Sequence, residues 1–179
     1  MSHIHNIVDT DIHYKIDGVS RTITNVNETK RELVQGDHNS EIFTFEVPRF
    51  IDGHDISECN VVQVHYINLD KFEKYESIGV YNVDDLHIKE GDANTVILSW
   101  LISGNATRYV GTLNFSIRFA CVNDGVPEYV WNTTTFKGIS ILTTVFNSGE
   151  IANQIVDSWE EVKRELIAEI LQRLSEEGK

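Results

Sequence analysis

The sequence predicts a mainly β protein: an antiparallel β-sandwich over residues 1–146, followed over 147–179 by a C-terminal amphipathic helix that forms a helical bundle with copies of itself. Three observations carry this reading. Leu113, Phe115, Ile117, Phe119 and Cys121 alternate with Thr112, Asn114, Ser116, Arg118 and Ala120, which puts one apolar row on a single face of a long strand. Turn-forming residues then recur at short spacing, at Gly53, Gly91-Asp92, Ser103-Gly104-Asn105 and Asn123-Asp124-Gly125. No helical period precedes residue 147, and one begins just after it.

In chain order, Ile12, Tyr14 and Ile16, then Thr22 and Thr24, alternate weakly and predict one or two edge strands within the first 35 residues. Clearer strands are Phe43–Val47 and Val62–Tyr66. Thr95–Ile102 is apolar on both faces and belongs at a sheet centre or between two layers. After the long strand, Asn123-Asp124-Gly125 signals a hairpin into the strand through Tyr129-Val130-Trp131, and Ile139–Phe146 predicts one more strand. Asn147 or Ser148 then caps the helix and Glu150 lies in its first turn. Ile151, Ile155, Trp159, Val162, Leu166, Ile170 and Leu174 recur every three or four residues, about 3.8 on average, so they form a single stripe for self-association and a nearly straight or right-handed bundle. Glu160 with Arg164, and Glu169 with Arg173, support the helix from its flanks.

Composition bounds the function. The 179 residues carry 15 Lys and Arg against 28 Asp and Glu, a net charge of −13, which excludes a general nucleic-acid binder because phosphate contacts need a basic face. At 41% hydrophobic and 24% charged the chain is globular, and with only 2 prolines no Pro-rich linker divides it. Cys59 and Cys121 are too few for a disulfide scaffold and suit a reducing cytoplasm, where both serve as small core residues. Val96–Ile102 is far shorter than the ~18 residues of a membrane span, and Met-Ser-His-Ile-His-Asn lacks the parts of a signal peptide, so a soluble protein without an export address is expected.

Asp52-Gly53-His54-Asp55 is the most site-like cluster, but it has no second ligand group at a motif distance, and a Gly-centred turn capped by aspartates accounts for it better than a metal. His3, His5 and His13 are read as surface histidines. Ser99 and Ser103 have no nucleophile elbow, and no Gly-rich loop opens a helix to hold phosphate. No catalytic residue, metal or cofactor is therefore expected. Trp100 and Trp131 fall in apolar strand patterns and read as core, while Trp159, on the helical stripe, either packs on the domain or anchors a helix from another subunit.

The stretches His38-Asn39-Ser40-Glu41, Phe43-Thr44-Phe45-Glu46, Pro48-Arg49, Asp52-Gly53-His54-Asp55 and Cys59-Asn60 resemble the N-terminal domain of baseplate upper proteins from tailed phages and prophages of Gram-positive bacteria. So do Trp100-Leu101-Ile102-Ser103, Asn105-Ala106-Thr107, Leu113-Asn114-Phe115, Ile117-Arg118-Phe119 and Tyr129-X-Trp131-Asn132-Thr133, over roughly residues 1–146 and the helix beyond. The resemblance implies a non-enzymatic virion protein, assembled in the host cytoplasm. Its sandwich would dock on the tail-tip hub, while its helix would associate with copies of itself, as a homotrimer, and link to a receptor-binding protein. The sequence ends at Lys179, so the family's distal receptor-binding region is expected to be absent, on another chain, or cut away. The docking surface this implies is Arg49, Asp52, His54 and Asp55 together with a neighbouring loop carrying Asn105 and Arg108, Arg49 being the strongest residue because its guanidinium can grip a carboxylate bidentately. A second reading is a carbohydrate-binding sandwich with Trp or Tyr side chains on an exposed sheet face.

Overall fold

Alternation along the longest strand builds the core. In a computed structural model, which describes residues 13–26 and 32–143, Leu113, Phe115, Ile117 and Phe119 are all buried. The helix expected over 147–179, with its stripe Ile151, Ile155, Trp159, Val162, Leu166, Ile170 and Leu174, lies outside the described residues, as do His3 and His5.

The strands are β1 (Tyr14–Ile16), β2 (Ile23–Asn25), β3 (Glu32–Val34), β4 (Ile42–Pro48), β5 (Phe50–Ile51), β6 (His54–Asp55), β7 (Val61–Asp70), β8 (Glu76–Asn82), β9 (Leu86–Ile88), β10 (Thr95–Leu101), β11 (Gly111–Asn123), β12 (Val126–Asn132) and β13 (Phe136–Leu142). A 3-10 turn, Ile56–Glu58, precedes β7. Besides a two-stranded β5-β6 ribbon there are two larger sheets, one running β2-β1-β4-β10-β9 and the other β3-β13-β11-β7-β8, with β12 also paired to β11. They share one aromatic core: Phe115 of the second sheet lies with its ring centroid 5.8 Å from Tyr14, 5.6 Å from Phe45 and 5.2 Å from Trp100 of the first. Edge-to-face pairs of this kind add about 0.5–1.5 kcal/mol each beyond their buried area. The fold is thus mainly β and sandwich-like.

Not every pair is antiparallel, which corrects the expectation. β1 runs parallel to β4, with Tyr14 opposite Phe45, and β3 runs parallel to β13, with Ser140 opposite Glu32. In each case a long connection separates the partners, which a parallel pair requires. β10 is buried from Val96 to Trp100, as its two-sided apolarity implied. The Asp124-Gly125 hairpin also forms, both residues having positive φ (48° and 78°), the geometry of a two-residue type I′ turn.

Register assigns the loops to two ends. Leu101 pairs with Ile42 and Thr95 with Pro48, so the loops beyond Leu101 and beyond Pro48 lie at opposite ends of the β4–β10 pair, about 20 Å apart at 3.3 Å per residue. The near end holds loops 35–41, 71–75 and 102–110, joined by bonds from the Gly36 amide to the Thr107 carbonyl (3.1 Å) and from the Lys71 amide to the Val110 carbonyl (2.9 Å). The described strands also begin and finish there, with the His13 amide on the Thr44 carbonyl and the Gln35 amide on the Leu142 carbonyl. Loop 49–60, the loop before Thr95 and the Asp124-Gly125 turn lie at the far end, where the Arg49 amide meets the Asn94 carbonyl and the Tyr129 hydroxyl of β12 meets the Ile51 carbonyl.

Candidate docking surface

The far-end residues expected to dock are engaged within the domain. Arg49 donates through Nε to Asp55 Oδ1 at 3.1 Å and through Nη2 to Oδ2 at 2.7 Å, in the fork geometry that makes such pairs strong, with only 24% and 14% of the two side chains exposed. Asp55 in turn caps the 3-10 turn, accepting from the Ser57 amide at 3.0 Å and its hydroxyl at 2.6 Å. These bonds, the Arg49 pair above all, hold the Asp55 carboxyl down at about 2. Arg49 also donates to the Ala93 carbonyl, so its guanidinium shapes the loop and does not stand free for a partner.

Asp52 and Gly53 form the two-residue turn between β5 and β6, both with positive φ, as the turn reading of this cluster implied. His54 stacks on Tyr129 at 3.9 Å, and Asp52 reaches Arg21 only at 3.9 Å with both side chains about half exposed, a pair worth little. The three acidic and imidazole groups therefore serve three different partners. His13 Nδ1 accepts from the Thr44 amide at 3.1 Å.

At the near end, Asn105 is a bracket. Its Nδ2 donates to the Tyr66 hydroxyl at 3.1 Å and the Ile78 carbonyl at 3.3 Å, and its Oδ1 accepts from the Ser77 hydroxyl at 2.6 Å. Tyr66 further shares a hydrogen bond with the Ser103 hydroxyl at 3.2 Å. Loop 102–110 is thereby fastened to β7 and β8, and its exposed residue Arg108 is held in place. Asn105 and Arg108 consequently do not neighbour Arg49, which corrects the expectation of one continuous surface: antiparallel β4 and β10 carry the two loops away from each other.

Beside Arg108 lies a group that sequence reasoning missed. The Asp70 carboxylate accepts from the amides of Phe72, Lys74 and Tyr75 at 3.1, 2.5 and 2.6 Å, which fixes the β7–β8 turn and keeps the Asp70 carboxyl below its ordinary value, the Tyr75 amide being the main cause. That turn holds Phe72 76% and Tyr75 53% exposed. Lys71 Nζ lies 4.8 Å from the Phe72 ring centroid, Lys74 Nζ 5.2 Å from Tyr75, and the Arg108 guanidinium 5.6 Å from Tyr109, whose ring stacks on Tyr75 at 6.1 Å. Three cations and three aromatic rings so gather at one end of a strongly acidic chain. The signal lay in Lys71-Phe72-Glu73-Lys74-Tyr75, two lysine–aromatic pairs inside a hairpin turn, which reads as a solvated loop unless Asp70 is recognised as its cap.

Trp100 and Trp131 are fully buried, so neither offers a sugar platform. A cleft bordered by Lys15, Glu46, Pro48, Asn94 and Thr95 encloses about 150 Å³, below the ~300 Å³ at which small-molecule sites begin. No protein-family model matches this chain, and no curated protein matches it.

Proposed function

We propose that this chain is a non-enzymatic structural component of a phage tail baseplate, which docks on the tail-tip hub through the near-end cluster of its β domain. In this reading residues 147–179 associate as a trimer and link the hub to receptor-binding modules, the chain being assembled in the host cytoplasm and carried in the virion. The reading rests on the sequence resemblance, and the observation that carries it to a surface is the exposed Phe72 and Tyr75 beside Lys71, Lys74 and Arg108. Aromatic residues and arginine are the side chains that dominate protein interfaces, and a turn already held by Asp70 loses little entropy on docking. Arg49 and Asp55 support the scaffold and are not offered to the partner.

The test is incorporation into particles. Phe72→Ala with Tyr75→Ala should lower incorporation at least tenfold while leaving melting unchanged, and Phe50→Ala at the far end should incorporate normally. The reverse pattern would place docking at the far end. Because Phe72 and Tyr75 could equally stack on a sugar, titration with soluble cell-wall glycan separates the carbohydrate-binding reading, which expects saturable binding lost in the same variant.

A further inference from the structure

The far end holds two free thiols, both packed into the edge of the core, that the docking reading does not use. Cys59 closes the 3-10 turn, its amide bonded to the Ile56 carbonyl, and is buried; Cys121 lies on β11 and is partly exposed. In the antiparallel register Val61 faces Ala120, which brings the residues just before β7 alongside Cys121. The Asn60 side chain then clamps this junction, donating from Nδ2 to the Val122 carbonyl and accepting from its amide through Oδ1, both at 2.8 Å. The register and the Asn60 clamp thus bring the two segments that carry the thiols together, and both thiols are free. The pairing of β11 with β12 also shifts register between Cys121 and Val122, a local irregularity that leaves the backbone room to adjust.

We propose that Cys59 and Cys121 are a thiol pair that closes into an intramolecular disulfide when the protein meets a low-molecular-weight disulfide such as oxidised glutathione. The Cys121 thiolate attacks one sulfur of that disulfide and expels one thiolate. The Cys59 thiolate then attacks the Cys121 sulfur of the mixed disulfide and expels the second. The protein gives up two protons and two electrons, and the small disulfide is reduced to two thiols. Cys121 attacks first because it is the more accessible, while burial, reinforced by the adjacent Cys121 thiol, pushes the Cys59 thiol up to about 12. Closure is therefore slow in a reducing cytoplasm and is driven by an oxidising medium. Once made, the bond ties loop 49–60 to β11 and closes a loop of about 60 residues. Its biological place, after release from the host cell, rests on the baseplate reading; its chemistry does not.

The test uses the full chain, purified reduced and exchanged into buffer containing oxidised glutathione. Expected are the loss of both alkylatable thiols, a Cys59–Cys121 peptide in a non-reducing map, and a melting temperature about 10 °C above the reduced form. Cys121→Ser, a substitution at the partly exposed position, should fold as before and lose the oxidative rise. Two alkylatable thiols after incubation, glutathione adducts alone, or disulfide-linked dimers would each overturn the proposal. A closed disulfide in a protein that never enters particles would sustain it while sinking the baseplate reading.

Discussion

Gly79→Ala is the substitution whose sign depends most directly on the near-end architecture. Gly79 lies mid-strand in β8 opposite Tyr66, where strand propensity and unfolded-state entropy both favour alanine by about 0.4–1 kcal/mol. An added Cβ, however, would overlap the Tyr66 hydroxyl oxygen and Cζ, and would stand 2.9 Å from Cε1. Tyr66 is buried and bound to Ser103 and Asn105, so the ring can yield only by loosening those bonds. Overpacking costs about 1–3 kcal/mol and each weakened hydrogen bond about 1, so the net loss should be about 3 kcal/mol. At 2–4 °C per kcal/mol for a chain of this size, the melting temperature should fall by about 6–12 °C. Calorimetry of Gly79→Ala, repeated in a Tyr66→Ala background where the ring is gone, isolates the clash. A neutral or stabilising Gly79→Ala, or the same loss in both backgrounds, would refute the reasoning.

Acid should weaken the far end through Asp55: its folded value of about 2 lies below the ordinary 3.8, so its contribution is complete above about pH 4 and lost as pH falls to 2. The drop in melting temperature between pH 5 and pH 2.5 should therefore be smaller in Arg49→Met than in the parent, and an equal drop would contradict the ion pair's role. Trp159→Asp with Leu166→Asp should reduce the mass measured by light scattering to that of a single chain, because each stripe side chain is worth about 1.5–3 kcal/mol when buried; an unchanged mass would remove the stripe from self-association.

What was legible in the sequence followed from local pattern. β11 shows its inward row because every second residue is large and apolar, and Asp124-Gly125 shows its turn because both positions need positive φ. β8 was hidden because its buried residue is Ser77, its apolar Ile78 and Val80 face outward, and Gly79 interrupts it. The parallel pairs were hidden too, since no local feature records that Tyr14 will meet Phe45. The site was half legible. Arg49 stands out in the sequence for its capacity to grip a carboxylate, which it does, but the carboxylate belongs to Asp55 six residues on. Asn105 reads from the sequence as a recognition residue and proves to be the bracket behind one. Such roles depend on long-range partners, Tyr66 and Ser77 for Asn105, that spacing in the chain does not reveal.

Electron cryo-microscopy of the native particle tests the central claim most directly. The account predicts the two-sheet domain at the tail tip, with the Lys71–Tyr75 turn and Arg108 against a neighbouring protein and three copies around the axis. Particles without the domain, or with loop 49–60 at the contact and the Lys71–Tyr75 turn in solvent, would contradict it.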